Sequence, residues 1–191
     1  MLGSMKKKNI HSFDFYCLLF FVLSFAGWVW EVVLHLFTSH AFINRGVYKG
    51  PYLPIYGVGG LLLSFFLKRF RKKPPLVFAL SLMICSVLEY FTSWFLERKW
   101  GVRWWDYSGH FMNLKGRICL MGALVFGAGG TALVCWFVPA YEKWVEKLPV
   151  KLRLTVCVIS LVVFAADAAH AEIRPNVGEG ITSEEESISA D

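Results

Sequence analysis

Three carboxylates interrupt long apolar runs: Glu31, Glu89 and Asp167. A charge inside a transmembrane helix costs several kcal/mol on insertion, so each must have a partner or a task. Polar segments between the runs supply complementary groups, namely Asn44, Arg45, Arg103, Asp106, Asn113 and Arg117. Two arrangements fit this set. One is a network of salt bridges that pins loops to helices. The other is a polar pocket for a substrate or a lipid headgroup, with Glu31 or Glu89 as a buried acid or base and Arg45, Arg103 or Arg117 holding an anionic group. Desolvation offsets much of the Coulomb gain of a buried pair, so a cluster points toward function more than a lone pair does. Glu31 with His35 and Asp167 with His170 are spaced to share a helix face, and Asp106 could meet His110 if that loop forms one turn. None of these spacings demands a metal ion, and neither metal nor cofactor is expected.

These residues must be positioned by helices that cross a membrane. Of 191 residues, 56% are hydrophobic and 18% charged, which excludes a soluble enzyme, a disordered chain and a disulfide scaffold. About 20 apolar residues cover a bilayer core. The uncharged runs therefore predict an all-α, polytopic membrane protein of about five helices, over 13–37, 53–70, 75–96, 118–138 and 154–171. A basic segment, 1–12, precedes this single transmembrane domain of 13–171, and an acidic, disordered tail, 172–191, follows it. The first run is too long for a secretory signal and lacks a small-residue cleavage site. The net charge of +6 does not imply a nucleic-acid partner, because the bases sit at the ends of apolar runs. Twelve of them, Lys6 to Lys8, the five within 68–73, Lys143, Lys147, Lys151 and Arg153, lie at one set of helix ends, against eight at the other. That bias predicts a cytoplasmic N-terminus, with the three carboxylates in the outer third of the bilayer. Cys17, Cys85, Cys119, Cys135 and Cys157 fall inside the spans without a CxxC and read as small packing residues.

Between the first two spans, Gly50-Pro51 and Leu53-Pro54 forbid regular helix, and Gly57, Gly59 and Gly60 follow at once. Irregular backbone at membrane depth is tolerated only against protein or a wet cavity. The segment predicts a re-entrant or broken start to helix 2, with amides free to meet an anion, or else a tight interfacial turn. Gly57-Val58-Gly59-Gly60 and Gly127-Ala128-Gly129-Gly130 permit close helix contact. The loop from Glu97 to Gly116 holds Trp100, Trp104, Trp105, Tyr107 and Phe111, the composition of an interfacial aromatic belt. Trp28-Val29-Trp30-Glu31 and Trp94-Phe95-Leu96-Glu97 each precede a polar loop with Asn, Arg and Gly, then a glycine-bearing helix. This pattern suggests two duplicated helical hairpins plus a fifth helix.

Several blocks carry a family resemblance: Gly27-Trp28-Val29-Trp30-Glu31, Asn44-Arg45-Gly46, Gly50-Pro51-Tyr52-Leu53-Pro54-Ile55-Tyr56-Gly57, Glu89-Tyr90-Phe91-Thr92-Ser93-Trp94, Arg103-Trp104-Trp105-Asp106-Tyr107-Ser108 and Gly116-Arg117-Ile118-Cys119-Leu120. Over about 20–138 the chain resembles the bacterial family called putative ABC-transporter type IV, a CmpB-like permease family, with helix 5 and the tail outside the resemblance. The resemblance implies a multi-pass protein of the bacterial plasma membrane that serves as the permease component of a transport system. It brings no catalytic or binding residues with it. The chain has no GxxxxGK loop, so transport implies a separate ATPase subunit, in a setting of membrane lipids. The absence of polar groups from the inner half implies a homo-oligomer or other partner as well. Two rival readings stand beside this one. One is an integral membrane enzyme acting on an outer-leaflet or lipid-linked substrate. The other is a non-catalytic assembly or sensing subunit that docks through its aromatic loop.

Overall fold

A computed structural model describes residues 13–183. The Lys6 to Lys8 cluster and the acids from Glu184 to Asp191 lie outside the described residues. Five helices form: α1 (Phe13–Ser39), α2 (Pro54–Leu67), α3 (Pro74–Trp100), α4 (Leu120–Val145) and α5 (Val150–Ile173). Among the described residues no strand forms, only the isolated bridges Arg103 to Ser183 and Leu114 to Ile118. Helices α1, α3, α4 and α5 are long and apolar enough to cross a membrane.

Helix α2 is shorter than the span expected over 53–70. Its α-helical part has 14 residues, about 21 Å at 1.5 Å per residue, which is too short for a hydrocarbon core of about 30 Å. The prolines explain the shortfall. The chain descends from the end of α1 as irregular backbone, and the Leu53 amide donates to the Ser24 carbonyl at 2.9 Å. That point lies about 22 Å along α1 from its loop end. Pro54 then opens α2, where its missing amide would have no helical partner in any case. Gly57 lets α2 approach α1 closely, since a methyl group there would collide with Ser24 and Phe20. A short 3-10 turn, Lys68–Phe70, ends the helix at the basic loop.

Helices α3 and α4 make the second hairpin. Gly127 and Gly130 of α4 face Phe78 and Ser81 of α3, again with no room for a side chain. Helix α4 holds one π turn, Leu133–Phe137, immediately before Pro139. The proline cannot donate to the preceding turn, and the wide turn absorbs the defect. Helix α5 lies against α1 and begins at Val150, earlier than the expected residue 154. Lys151 and Arg153 interrupt the apolar pattern there, but the Arg153 guanidinium is turned inward, with Nε 3.0 Å from Asp14 of α1.

One device occurs in both hairpins. A loop arginine returns to a glutamate on the preceding long helix: Arg45 to Glu31 at 3.9 Å, and Arg117 to Glu97. These glutamates are the two that align in the Trp-x-x-Glu repeat of the sequence.

Candidate functional site

At the loop end of the bundle the two hairpins enclose a cavity of about 310 Å³. Glu31 of α1, Tyr56 of α2, Glu89 of α3 and Phe126 of α4 line it, and Arg45, Trp104, Trp105 and Tyr107 close it from the loops. Each carboxylate accepts a phenol: Tyr56 Oη donates to Glu31 at 2.7 Å, and Tyr107 Oη donates to Glu89 at 3.2 Å. Glu89 is buried, and its second oxygen, Oε2, has no hydrogen-bond partner. Burial, then the charges of Glu89 and Glu31, push the Tyr107 hydroxyl above its ordinary range, which keeps it a donor. The sequence singled out Glu31, Glu89 and Arg45 but missed both tyrosines. Their signal was a phenol in a hydrophobic block, because a buried hydroxyl must find a partner.

Arg45 is spent mainly on backbone. Its Nη1 donates to the Gly180 and Ile181 carbonyls at 2.9 and 2.7 Å, and its Nη2 donates to the Trp104 carbonyl at 2.7 Å. Residues 174–183, the described part of the segment expected as an acidic tail, thus hydrogen-bond to the loops. Asn176 Nδ2 donates to the carbonyls of Asn44 and Gly46, the Asn176 amide donates to Val47, and the Ser183 amide donates to Arg103. The acidic composition hid this, because most of the acceptors and donors involved are main-chain groups. Asn44 stands outside the cavity. It accepts from Trp28 Nε1 at 2.6 Å and donates to the Lys49 carbonyl at 2.9 Å, and so shapes the first loop.

The remaining four expected residues build the second loop. Glu97 accepts from Arg103 Nε at 2.9 Å and from Arg117 Nη2, while Arg117 Nη1 donates to Ser93 at 3.1 Å. Asp106 accepts from the Ser108 amide and hydroxyl at 2.8 and 2.6 Å. Burial alone would raise the Asp106 carboxyl, but these bonds and the neighbouring Arg103 outweigh it and hold it below its ordinary range. Asn113 donates to the carbonyls of Ser108 and His110 and accepts from the Gly116 amide. Gly116 has φ +67°, and a side chain on it would strike Asp106 and Ser108. His110 packs edge-on against Tyr107 and makes no pair with Asp106.

The amides of the broken segment do meet an anion, and it is the chain's own Asp167. Its oxygens accept from the amides of Lys49 and Gly50 at 3.3 and 2.8 Å and from Tyr52 Oη at 2.5 Å. His35 donates to the Glu31 carbonyl at 2.8 Å, not to the carboxylate. Among the described residues no three His, Cys, Asp or Glu side chains converge as metal ligands would.

Membrane-length helices around a largely apolar cavity that carries two carboxylates, roofed by hydrogen-bonded loops, define an integral membrane protein. The chain belongs to the family described as Putative ABC-transporter type IV, whose model matches residues 18–171. The match takes in α5, which the resemblance read from the sequence motifs had left out. No curated protein and no solved structure matches the chain.

Proposed function

We propose that the protein is the membrane subunit of a bacterial transport system, with a cytoplasmic N-terminus and its cavity in the outer half of the plasma membrane. The observation that carries this reading is the cavity with Glu31 and Glu89 in its wall. Carboxylates are costly at that depth, and Glu89 carries no arginine as Glu97 does, only the Tyr107 hydroxyl on one oxygen. Family membership supports transport over other uses of such a chamber. The chain has no nucleotide-binding loop, so a separate ATPase drives the cycle, docked at the basic helix ends around 68–73 and 143–151. Below the cavity the buried polar side chains are the hydroxyls of Ser24, Ser64, Ser81 and Thr131 and, at the far end of α1 and α5, the Asp14–Arg153 ion pair, which closes on itself. A conduit through that half therefore needs a second copy or another subunit, and the largely exposed apolar side of α5 is available to lipid or to such a partner.

The enzyme reading needs an arginine free to hold an anionic substrate. Arg103 and Arg117 are bound to Glu97, and Arg45 to carbonyls. The test is purification from native membranes in mild detergent, with cross-linking and an ATP hydrolysis assay. A co-purifying ATPase subunit is expected. Recovery of a lone monomer without ATPase activity overturns the transport reading.

A further inference from the structure

We propose that the cavity recognises an organic cation, its ammonium head held between Glu31 and Glu89 and its apolar body laid on the aromatic walls. The inference rests on the reading of this cavity as a recognition site and adds the class of ligand. Three observations carry it.

The first is charge. Two carboxylates and one guanidinium line the cavity, and the guanidinium is already occupied by backbone carbonyls. Three of the Arg45 hydrogen bonds go to the carbonyls of Gly180, Ile181 and Trp104, and its Nε stands 3.9 Å from Glu31, too far for a hydrogen bond. An anion entering here would meet two carboxylates and no free guanidinium. The second is an open acceptor. Glu89 is 3% exposed, lines the cavity, and has one oxygen on Tyr107 while the other has no partner. Glu31 likewise takes a phenol on Oε1, and its Oε2 is ion-paired with Arg45 at 3.9 Å without a hydrogen bond, which leaves it able to accept one. Both phenols donate, so the sites left open accept, as an ammonium N–H or a polarised N–CH₃ requires. A buried carboxylate oxygen with nothing to bind is costly, and a cation is the ligand that removes the cost.

The third is the nature of the walls. Tyr48, Tyr56, Phe95, Trp104, Trp105 and Phe126 surround the carboxylates. Aromatic faces attract a cation and most of all a poorly hydrated one, the pattern of ammonium recognition. A dehydrated divalent metal ion would need six or more oxygen ligands, more than Glu31, Glu89 and the two phenols offer. The volume of about 310 Å³ sits at the small end of ligand pockets, enough for a head and a short chain.

The test uses the full chain in lipid nanodiscs and three probes of equal length: hexyltrimethylammonium, hexanoate and hexanol. Quenching of tryptophan fluorescence, with Trp104 and Trp105 in the wall, reads binding. Saturable binding of the ammonium probe at least tenfold tighter than either isostere is expected, weakened at least tenfold by Glu89→Gln and by Glu31→Gln. Equal or tighter binding of hexanoate, or a non-saturating signal shared by all three probes, overturns the proposal. So does a Glu89→Gln protein that keeps its melting temperature and its affinity for the ammonium probe. If a variant does not accumulate, the wild-type comparison of the three probes decides alone. Nanodiscs with and without a two-chain trimethylammonium lipid distinguish the source. Competition by that lipid indicates a bilayer ligand, its absence an aqueous one, and both support an ammonium site. Failure of cation binding in a preparation that retains an ATPase sinks this inference and leaves the transport reading standing, whereas cation binding without an ATPase does the reverse.

Discussion

Charges in the middle of apolar runs were legible because nothing around them could solvate them. Glu31 and Glu89 stood out for that reason, and Arg45 stood out beside them. Charges near helix ends were not legible, since there a partnered group and a hydrated one look alike in sequence. Glu97, the acceptor for both Arg103 and Arg117, was passed over on that account. Arg153 was counted as an orienting surface charge, yet it is 7% exposed and bound to Asp14, itself 5% exposed. Removing one partner of such a pair leaves a buried charge and costs about 3–5 kcal/mol, whereas replacing both with apolar residues is often neutral. Arg153→Met is therefore expected to lower stability by about that amount, measured by unfolding in mixed detergent. Addition of Asp14→Leu to the same chain should restore most of the loss. A single variant as stable as the wild type would show that the pair holds nothing together.

The glycine blocks announced close helix contacts, but a sequence cannot say which glycine meets a neighbour and which faces lipid. The structure separates them within one block. Gly130 meets Ser81 and Leu63, while Gly129 has open space around it. Gly130→Ala is expected to cost about 1–3 kcal/mol through overpacking. Gly129→Ala should be neutral or stabilising by a few tenths, because it only removes freedom from the unfolded chain. Melting of both proteins in the same detergent checks the contrast, and equal effects would mean that the α3–α4 contact is looser than described. The prolines before α2 were equally legible as helix breakers. What they could not reveal is that α1 supplies the missing partner at the Ser24 carbonyl, so that a half-length helix completes the crossing.

At the level of the molecule, all-α architecture and membrane residence followed directly from hydropathy, because a run of apolar residues has few other places to go. Orientation rests on the basic helix ends. It predicts that Phe111→Cys, at a side chain 77% exposed in the second loop, reacts with a membrane-impermeant maleimide in intact cells, while Lys72→Cys reacts only after the cells are opened. The reverse pattern would invert the assignment. The docking of residues 174–183 over the loops was not legible at any scale, since it depends on carbonyls that every residue carries. It imposes an order on biogenesis. Arg45 is inserted early with α1, but the Gly180 and Ile181 carbonyls that hold its guanidinium emerge from the ribosome some 135 residues later. Until then the chamber has walls and no finished roof, so its closure waits on the synthesis of α5 and the segment that follows it.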